Sequence, residues 1–297
     1  MKENKVVIIG SGIAGMTAAI YLKRGGLEPI IIENNAPGGM LNIIPNIENY
    51  PGYISIAGPD LAMNIYNQVN ELGIKYLYKN IKNISLKEKT IDNEIKFDYL
   101  IIATGRSPRL LNLENEKEYL GKGISTCALC DGTFYKDKEV IVVGGGSSAL
   151  TEAIYLSSIC KKVTIVHRRN TFTAEQNLIS KINKIKNIKI MYNANIKKYN
   201  IKKDKIVSVS LDNNKKINCS GVFLSIGSIP NTEIFDIDKE DNYIVVNNNY
   251  QTNIDYVYAI GDVIKKDVYQ LTTAVGDATI AANSIIKNEA NNLQFAK

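Results

Sequence analysis

The sequence is poor in arginine, cysteine and histidine, and each scarcity narrows what the chain can be. Of 297 residues only Arg24, Arg106, Arg109, Arg168 and Arg169 carry a guanidinium, while lysine, asparagine and isoleucine abound. That bias reflects coding composition more than chemistry, so lysine-rich stretches are discounted and the few arginines weigh more. Four cysteines, at 127, 130, 160 and 219, do not make a secreted disulfide framework in a chain this long. Zinc at Cys127 and Cys130 would need two more ligands. Only Cys160, Cys219 and the lone histidine, His167, remain by type, and they form no second close pair. The uncharged 17-residue run VVIIGSGIAGMTAAIYL is short for a membrane span. It also lacks a polar break before a small-residue cleavage site, so it does not read as a secretory signal. A cytoplasmic protein is expected, and there a C-x-x-C is ordinarily reduced, catalytic or metal-bound.

What is present suffices for real cores. The chain is 45% hydrophobic and 22% charged, and its length suggests two domains. The net charge of +6 is unevenly spread. Residues 161–220 hold 13 Lys and 2 Arg against Glu175, Asp204 and Asp212, a local +12, leaving −6 for the rest. Such a surplus attracts anions, whether a phosphate ligand or an acidic protein. Nucleic acid is not expected, because no reader motif or interleaved aromatic pattern accompanies the lysines.

One unit is written twice. A β-branched run, KVVIIG, leads into Gly10, Gly12 and Gly15 at G-x-G-x-x-G spacing. The helical pattern MTAAIYLKR follows, and then the apolar run PIIIE ends at Glu33. Strand, glycine loop, helix and an acid about 20 residues on form a dinucleotide fingerprint. The glycines let the backbone turn tightly and approach a pyrophosphate, whose charge sits on the helix N-terminus. Glu33 is then placed to accept hydrogen bonds from ribose hydroxyls. The second copy, EVIVVGGGSSALTEAIYLSS, has Gly144, Gly146 and Ala149 as G-x-G-x-x-A, and its next strand, KVTIVH, ends at His167. Gly12 to Glu33 and Gly146 to His167 are both 21 residues. The acid of the first copy is thus replaced by His167, followed by Arg168 and Arg169. An acid there suits a free ribose, whereas a basic cluster accommodates a 2′-phosphate. The first copy therefore suits FAD or NAD, and the second suits NADPH.

The repeat extends to FDYLIIATGRSPR and SGVFLSIGSIPN, each a strand ending in Gly with Pro three residues on. The loop PGGMLNIIPNIENYPG reads as a ligand wrap, with Gly38 and Gly39 allowing close backbone approach. A last strand, VYAIGDV, ends in Gly261-Asp262, and a final helix can pack back on the first fold. The expected fold is α/β, with two Rossmann-like (FAD/NAD(P)-binding) three-layer domains, the second inserted into the first. Their expected bounds are 1–111 and 240–297 for the first, and 112–239 for the second, which carries the cysteine pair.

These motifs, with C-A-L-C-D-G at 127–132 just ahead of the second glycine loop, resemble the low-molecular-weight thioredoxin reductases over essentially the whole chain. The resemblance implies a homodimeric flavoenzyme with bound FAD, reduced by NADPH. It would pass two electrons through its cysteine pair to thioredoxin or a similar small disulfide protein. By the same resemblance Gly10, Ser11, Gly12, Ile13, Ala14, Gly15, Glu33, Asn34, Gly38, Gly39, Met40, Leu41 and Asn49 would line FAD. So would Ala103, Thr104, Gly105, Gly261, Asp262, Gln270 and Leu271. Gly144, Gly145, Gly146, Ser147, Ser148 and Ala149, with His167, Arg168 and Arg169, would take the pyridine nucleotide. Cys130 would face the flavin as its charge-transfer partner, Cys127 would attack the substrate disulfide, and Asp131 would manage the thiol proton. The roles are chemically coherent: a flavin links hydride transfer to sulfur, and exchange proceeds by thiolate attack through a mixed disulfide.

Three positions depart from the family pattern. Thr173 stands where the third basic residue of H-R-R-x-x-x-R belongs, Met40 replaces the Gln of G-G-Q, and Tyr269 precedes Gln270 where Arg is familiar. Relaxed use of NADH, or another donor, stays open on these grounds. The alternatives are a ferredoxin-driven flavin thioredoxin reductase, served by an acidic electron-donor protein, and a flavin redox sensor without turnover. Cys160 and Cys219 are expected to be buried small residues, at a helix end and entering a strand.

Overall fold

The computed structural model describes residues 5–44 and 47–295; residues 45–46 of the expected wrapping loop lie outside them. The principal elements of the first half are β1 (Lys5–Ile9), α1 (Ile13–Arg24), β2 (Glu28–Glu33), α2 (Gly58–Glu71), β3 (Lys75–Tyr78), β4 (Tyr99–Ile102), β5 (Ile124–Ser125), α3 (Ala128–Asp131) and β6 (Glu139–Val143). Then come α4 (Ser147–Ser157), β7 (Lys162–Val166), α5 (Gln176–Ile182), β8 (Ile188–Met191), β9 (Ile196–Lys202), β10 (Lys205–Leu211), β11 (Lys216–Asn218), β12 (Gly221–Leu224), β13 (Val257–Ala259) and α6 (Leu271–Phe295).

The chain divides into two compact units, Met1–Ser107 with Ile229–Lys297, and Pro108–Ser228. The second is inserted into the first, as expected, but its end falls earlier than residue 239. The reason is packing. Phe235 and Ile237 are buried among Val7, Ile9, Leu100 and Ile102 of the first unit. Burying two such side chains contributes about 3–6 kcal/mol, enough to hold this segment with the first sheet.

In the first unit the parallel sheet runs β13-β4-β1-β2-β3. Val6, Val7, Ile8, Leu100, Ile101 and Ile102 are fully buried, which is why these strands read as unbroken apolar runs rather than alternating ones. α1 packs on α6 through small residues, Ala18 and Ala19 among Ala278, Ala281 and Ala282. The opposite face carries Phe97, Phe235, Val257 and Val263, so the sheet is the middle of three layers.

In the second unit the parallel sheet runs β8-β7-β6-β12-β5. Its first four strands repeat the order of the first unit, which bears out the reading of one unit written twice. The antiparallel meander β9-β10-β11 covers one face. Its apolar residues Ile196, Tyr199, Val209 and Leu211 enter the core, while Lys197, Lys198, Lys202, Lys205 and Lys216 stay exposed. The local charge surplus is therefore displayed on the outside of this unit. Glu116 is buried and accepts hydrogen bonds from the Tyr199 hydroxyl (2.6 Å) and the Asn112 amide (2.6 Å), tying the entry of the unit to the meander. Among the described residues no helix is long and apolar enough to cross a membrane.

Candidate functional site

In the first unit the carboxyl ends of the strands open onto a cavity of about 1150 Å³. The turn after β1 is made possible by Gly10, whose φ of +103° and close approach to the Ala103 carbonyl leave no room for a Cβ. Gly15 lies against the Gly10 carbonyl, which lets α1 start directly beneath the turn. Nothing lies within 4 Å of where a Cβ of Gly12 would stand, so this backbone is bare toward the cavity. The sequence-predicted residues Gly10 to Ala14, Glu33, Asn34, Gly38 to Leu41, Asn49, Ala103 to Gly105, Gly261, Asp262, Gln270 and Leu271 all line it. Gly15 does not; it is a packing residue. An extended cavity with bare glycine backbone at a helix N-terminus fits a dinucleotide.

The polar contacts hold the walls in place. Glu33 accepts from the Ser11 amide and hydroxyl at 2.8 Å each, and from the Asn34 and Asn35 amides at 2.8 and 3.0 Å. Four donors saturate a carboxylate, so a ribose hydroxyl reaches Glu33 only by displacing one of them, such as the Ser11 hydroxyl. The Gly38 amide donates to the Ser11 carbonyl (2.8 Å), drawing the wrapping loop onto the glycine turn. Asn49 donates to Gln270 (3.1 Å) across the chain. Behind the wall, the Gly261 amide donates to Asp277 (3.1 Å), which is ion-paired with Lys266 (2.6 Å).

Several cavity residues were not foreseen. Asn231 exchanges hydrogen bonds with Thr104 (2.8 Å each way) and accepts from the Ser107 hydroxyl (2.7 Å). Arg106 is paired with Asp262 (2.9 Å) and lies 4.2 Å over the Tyr269 ring. The only signal for Arg106 was its rarity as an arginine, one residue past A-T-G; Asn231 follows the second Gly…Pro turn and carries no motif.

In the second unit the corresponding glycine loop is held from below. Gly144, at φ +147°, sits on the Ser225 carbonyl. The imidazole of His167 fills the space a Cβ on Gly145 would take. His167 is buried, with its Nε2 2.9 Å from the Thr171 carbonyl and its ring packed near Phe172 and Tyr192. The expectation that it contacts the nucleotide beside the arginines is corrected to this extent: the ring points under the loop, and Arg168 and Arg169 are the exposed groups. The Thr173 amide donates to the Gly145 carbonyl (2.8 Å), and the Glu175 amide to the Ser147 hydroxyl (3.2 Å). Residues 171–175 are thereby laid along the loop. Ser147 opens α4 and Ser148 follows it, while Ala149 is buried in the core.

The same unit carries Cys127 and Cys130 as a disulfide, with Cα atoms 5.4 Å apart. Ser125, buried at the end of β5, accepts from the Cys127 amide (3.0 Å) and donates to the Cys127 carbonyl (3.1 Å). That clasp fixes the start of α3. Cys127 is half-buried, where Ser125 anchors it, and Cys130 lies on the outer turn and is exposed. The Cys130 amide donates to Cys127 Sγ (3.1 Å), a contact that favours negative charge on that sulfur. Asp131 follows and is half-buried. Cys160 and Cys219 are buried free thiols, as expected; burial pushes them up to about 11 and about 12.

Comparison with known proteins agrees with this arrangement. Residues 4–278 match the family described as pyridine nucleotide-disulphide oxidoreductase. The chain is 38% identical to a thioredoxin reductase of Bacillus subtilis (strain 168) over 301 residues, covering 96% of this chain and 95% of that protein. It is 41% identical to one from Buchnera aphidicola subsp. Schizaphis graminum (strain Sg), covering 94% and 95%. Among solved structures, the thioredoxin reductase of Lactococcus lactis superposes with a TM-score of 0.85 at 35% identity, covering 96% of this chain and 98% of that one. That of T. acidophilum superposes at 0.83 with 32% identity, covering 97% and 100%. The chain belongs to the pyridine nucleotide-disulphide oxidoreductase family, among the thioredoxin reductases.

Proposed function

We propose that the chain is a flavin-dependent disulfide reductase that moves two electrons from NADPH, through FAD, to the Cys127–Cys130 pair and on to thioredoxin or a similar small disulfide protein. The observation that carries this reading is the disulfide-bonded C-x-x-C built into the same compact unit as the second glycine loop. FAD, when bound, couples hydride transfer from a nicotinamide to two-electron reduction of sulfur.

The residues of the chain would do the following. The Gly10–Ala14 backbone at the start of α1 would hold the pyrophosphate, Glu33 the adenosine ribose, and Asn49, Asp262, Gln270 and Leu271 the other half of FAD. Gly144 to Ser148 would receive the pyridine nucleotide, with Arg168 and Arg169 on its 2′-phosphate. His167 would act from beneath, as a positioning residue that shapes the loop.

Once the pair is reduced, Cys127 is the sulfur suited to attack, since the Cys130 amide already donates to it. Its thiolate attacks one sulfur of the substrate disulfide, forming a mixed disulfide and releasing the other as a thiolate, which takes up a proton. Cys130 then gives its proton to Asp131 and attacks Cys127 Sγ. The second substrate sulfur leaves, and the Cys127–Cys130 bond is restored. Two electrons pass to the substrate.

The assembly we propose is a homodimer in the cytoplasm. Residues 108–228 hold 20 Lys and Arg against 10 Asp and Glu, a net +10 that draws both NADPH and an acidic protein partner to this unit. The test is reduction of thioredoxin by NADPH with purified protein. Turnover lost in Cys127→Ser and in Cys130→Ser, with flavin retained, supports the reading; turnover surviving either change removes it.

A further inference from the structure

We propose that Arg106 sets the redox balance of the flavin by cancelling the negative charge of Asp262 at the β13 end of the cavity. The inference rests on the FAD reading above and concerns a residue that no motif assigns.

The cavity has two chemically different ends. Glu33 closes β2, the Gly10–Gly15 loop follows β1, Ala103 to Gly105 follow β4, and Gly261-Asp262 follow β13. Neighbouring strands lie about 4.8 Å apart, so Glu33 and Asp262 are three spacings, roughly 14 Å, from each other. With an adenosine ribose at Glu33 and a pyrophosphate on the glycine loop, the β13 end receives the isoalloxazine half.

Arg106 stands at that end. Its Nη2 is 2.9 Å from Asp262 Oδ2, its guanidinium carbon is 4.2 Å over the Tyr269 ring, and Tyr269 leans on Tyr243 at 5.6 Å. Arg106, Asp262 and Tyr269 all line the cavity. Among the described residues the other cation lining it is Lys79, which follows β3 at the far end and is paired with Asp92 (3.1 Å). The guanidinium is thus fixed by a carboxylate on one side and an aromatic face on the other.

Charge at this place distinguishes the two states of the cofactor. The isoalloxazine is neutral when oxidised, and its two-electron-reduced form is an anion at neutral pH. Arg106 and Asp262 together are neutral. Removing the guanidinium leaves the Asp262 carboxylate alone beside the ring, which disfavours the anion.

The test is an anaerobic equilibrium of the holoprotein with a reference redox dye, read as the ratio of reduced to oxidised flavin. Arg106→Gln is expected to shift the ratio about tenfold toward oxidised, some 30 mV for a two-electron couple. Arg106→Lys, which keeps the charge, should stay within about threefold of the parent. A role in packing alone would change flavin content or melting temperature and leave the ratio of the retained flavin unchanged; that outcome overturns the proposal. If Arg106→Gln holds no flavin, Tyr269→Arg decides with the opposite sign: a second cation should shift the ratio about tenfold toward reduced, and no shift overturns the proposal. A parent protein that binds no FAD removes the functional reading itself, a result distinct from an unmoved ratio.

Discussion

The imidazole of His167 occupies the space that a side chain on Gly145 would need. The ring is buried and cannot swing aside, since Nε2 is held at the Thr171 carbonyl and Phe172 lies against it. Gly145→Ala should therefore lift the loop or displace residues 171–175, at a cost of about 1–3 kcal/mol. We expect NADPH affinity to fall at least tenfold by fluorescence titration while flavin content stays that of the parent.

Arg168 and Arg169 are exposed at the end of β7, and Thr173 stands beside the Gly145 carbonyl. A lost charged hydrogen bond costs about 1.5–3 kcal/mol. Arg168→Ala should weaken NADPH binding by roughly one to two orders of magnitude and change NADH binding little. Thr173→Arg should act in the opposite direction and tighten NADPH. Equal effects on both nucleotides would remove the 2′-phosphate role.

Thiol counting tests the division of labour among the four cysteines. Burial holds Cys160 and Cys219 as neutral thiols, at about 11 and about 12. A thiol-reagent titration at pH 7.5 should find two fast thiols after reduction, at Cys127 and Cys130, and four after denaturation. Because these folded values lie above an unfolded thiol near 8.5, the stability they contribute is intact below that pH and declines as pH rises toward 11–12. Cys219→Ala should flatten that alkaline decline in melting temperature.

Glu152 on α4 is pushed up to about 7 by burial, only partly offset by a hydrogen bond from Ser225. A carboxyl raised in the fold is favourable when protonated, so its contribution is whole below about pH 4.5 and is lost as pH rises through 7. Glu152→Gln removes that loss. It should stabilise the protein at pH 8 by on the order of 3 kcal/mol and have little effect at pH 4.5, read by urea unfolding at both pH values.

Much of this was legible because it is local. Glycine loops, strand ends and the C-x-x-C each depend on neighbours within a few residues, so Gly10, Gly144 and Cys127 could be located from spacing alone. What was hidden depends on distant partners. Arg106 gains its place from Asp262 and Tyr269, over 150 residues away. Ser125 became visible only once its hydroxyl was found clasping Cys127. The inward turn of His167 follows from the bare Gly145, one helix and one strand earlier in the chain, and the end of the inserted unit from Phe235 and Ile237 reaching back to the first sheet. The meander was masked by lysines, whose alternation with Ile196, Tyr199 and Val209 is broken by register shifts.

The proposed route takes electrons from NADPH into the flavin and out through Cys127 and Cys130. Its most direct test is anaerobic mixing of the purified protein with NADPH, NADH and reduced ferredoxin in turn, followed by flavin absorbance and then by oxidised thioredoxin. The expected result is a yellow protein that NADPH bleaches and thioredoxin restores to colour, with restoration lost in Cys127→Ser. A colourless protein, or one bleached by ferredoxin and untouched by NADPH, would contradict it.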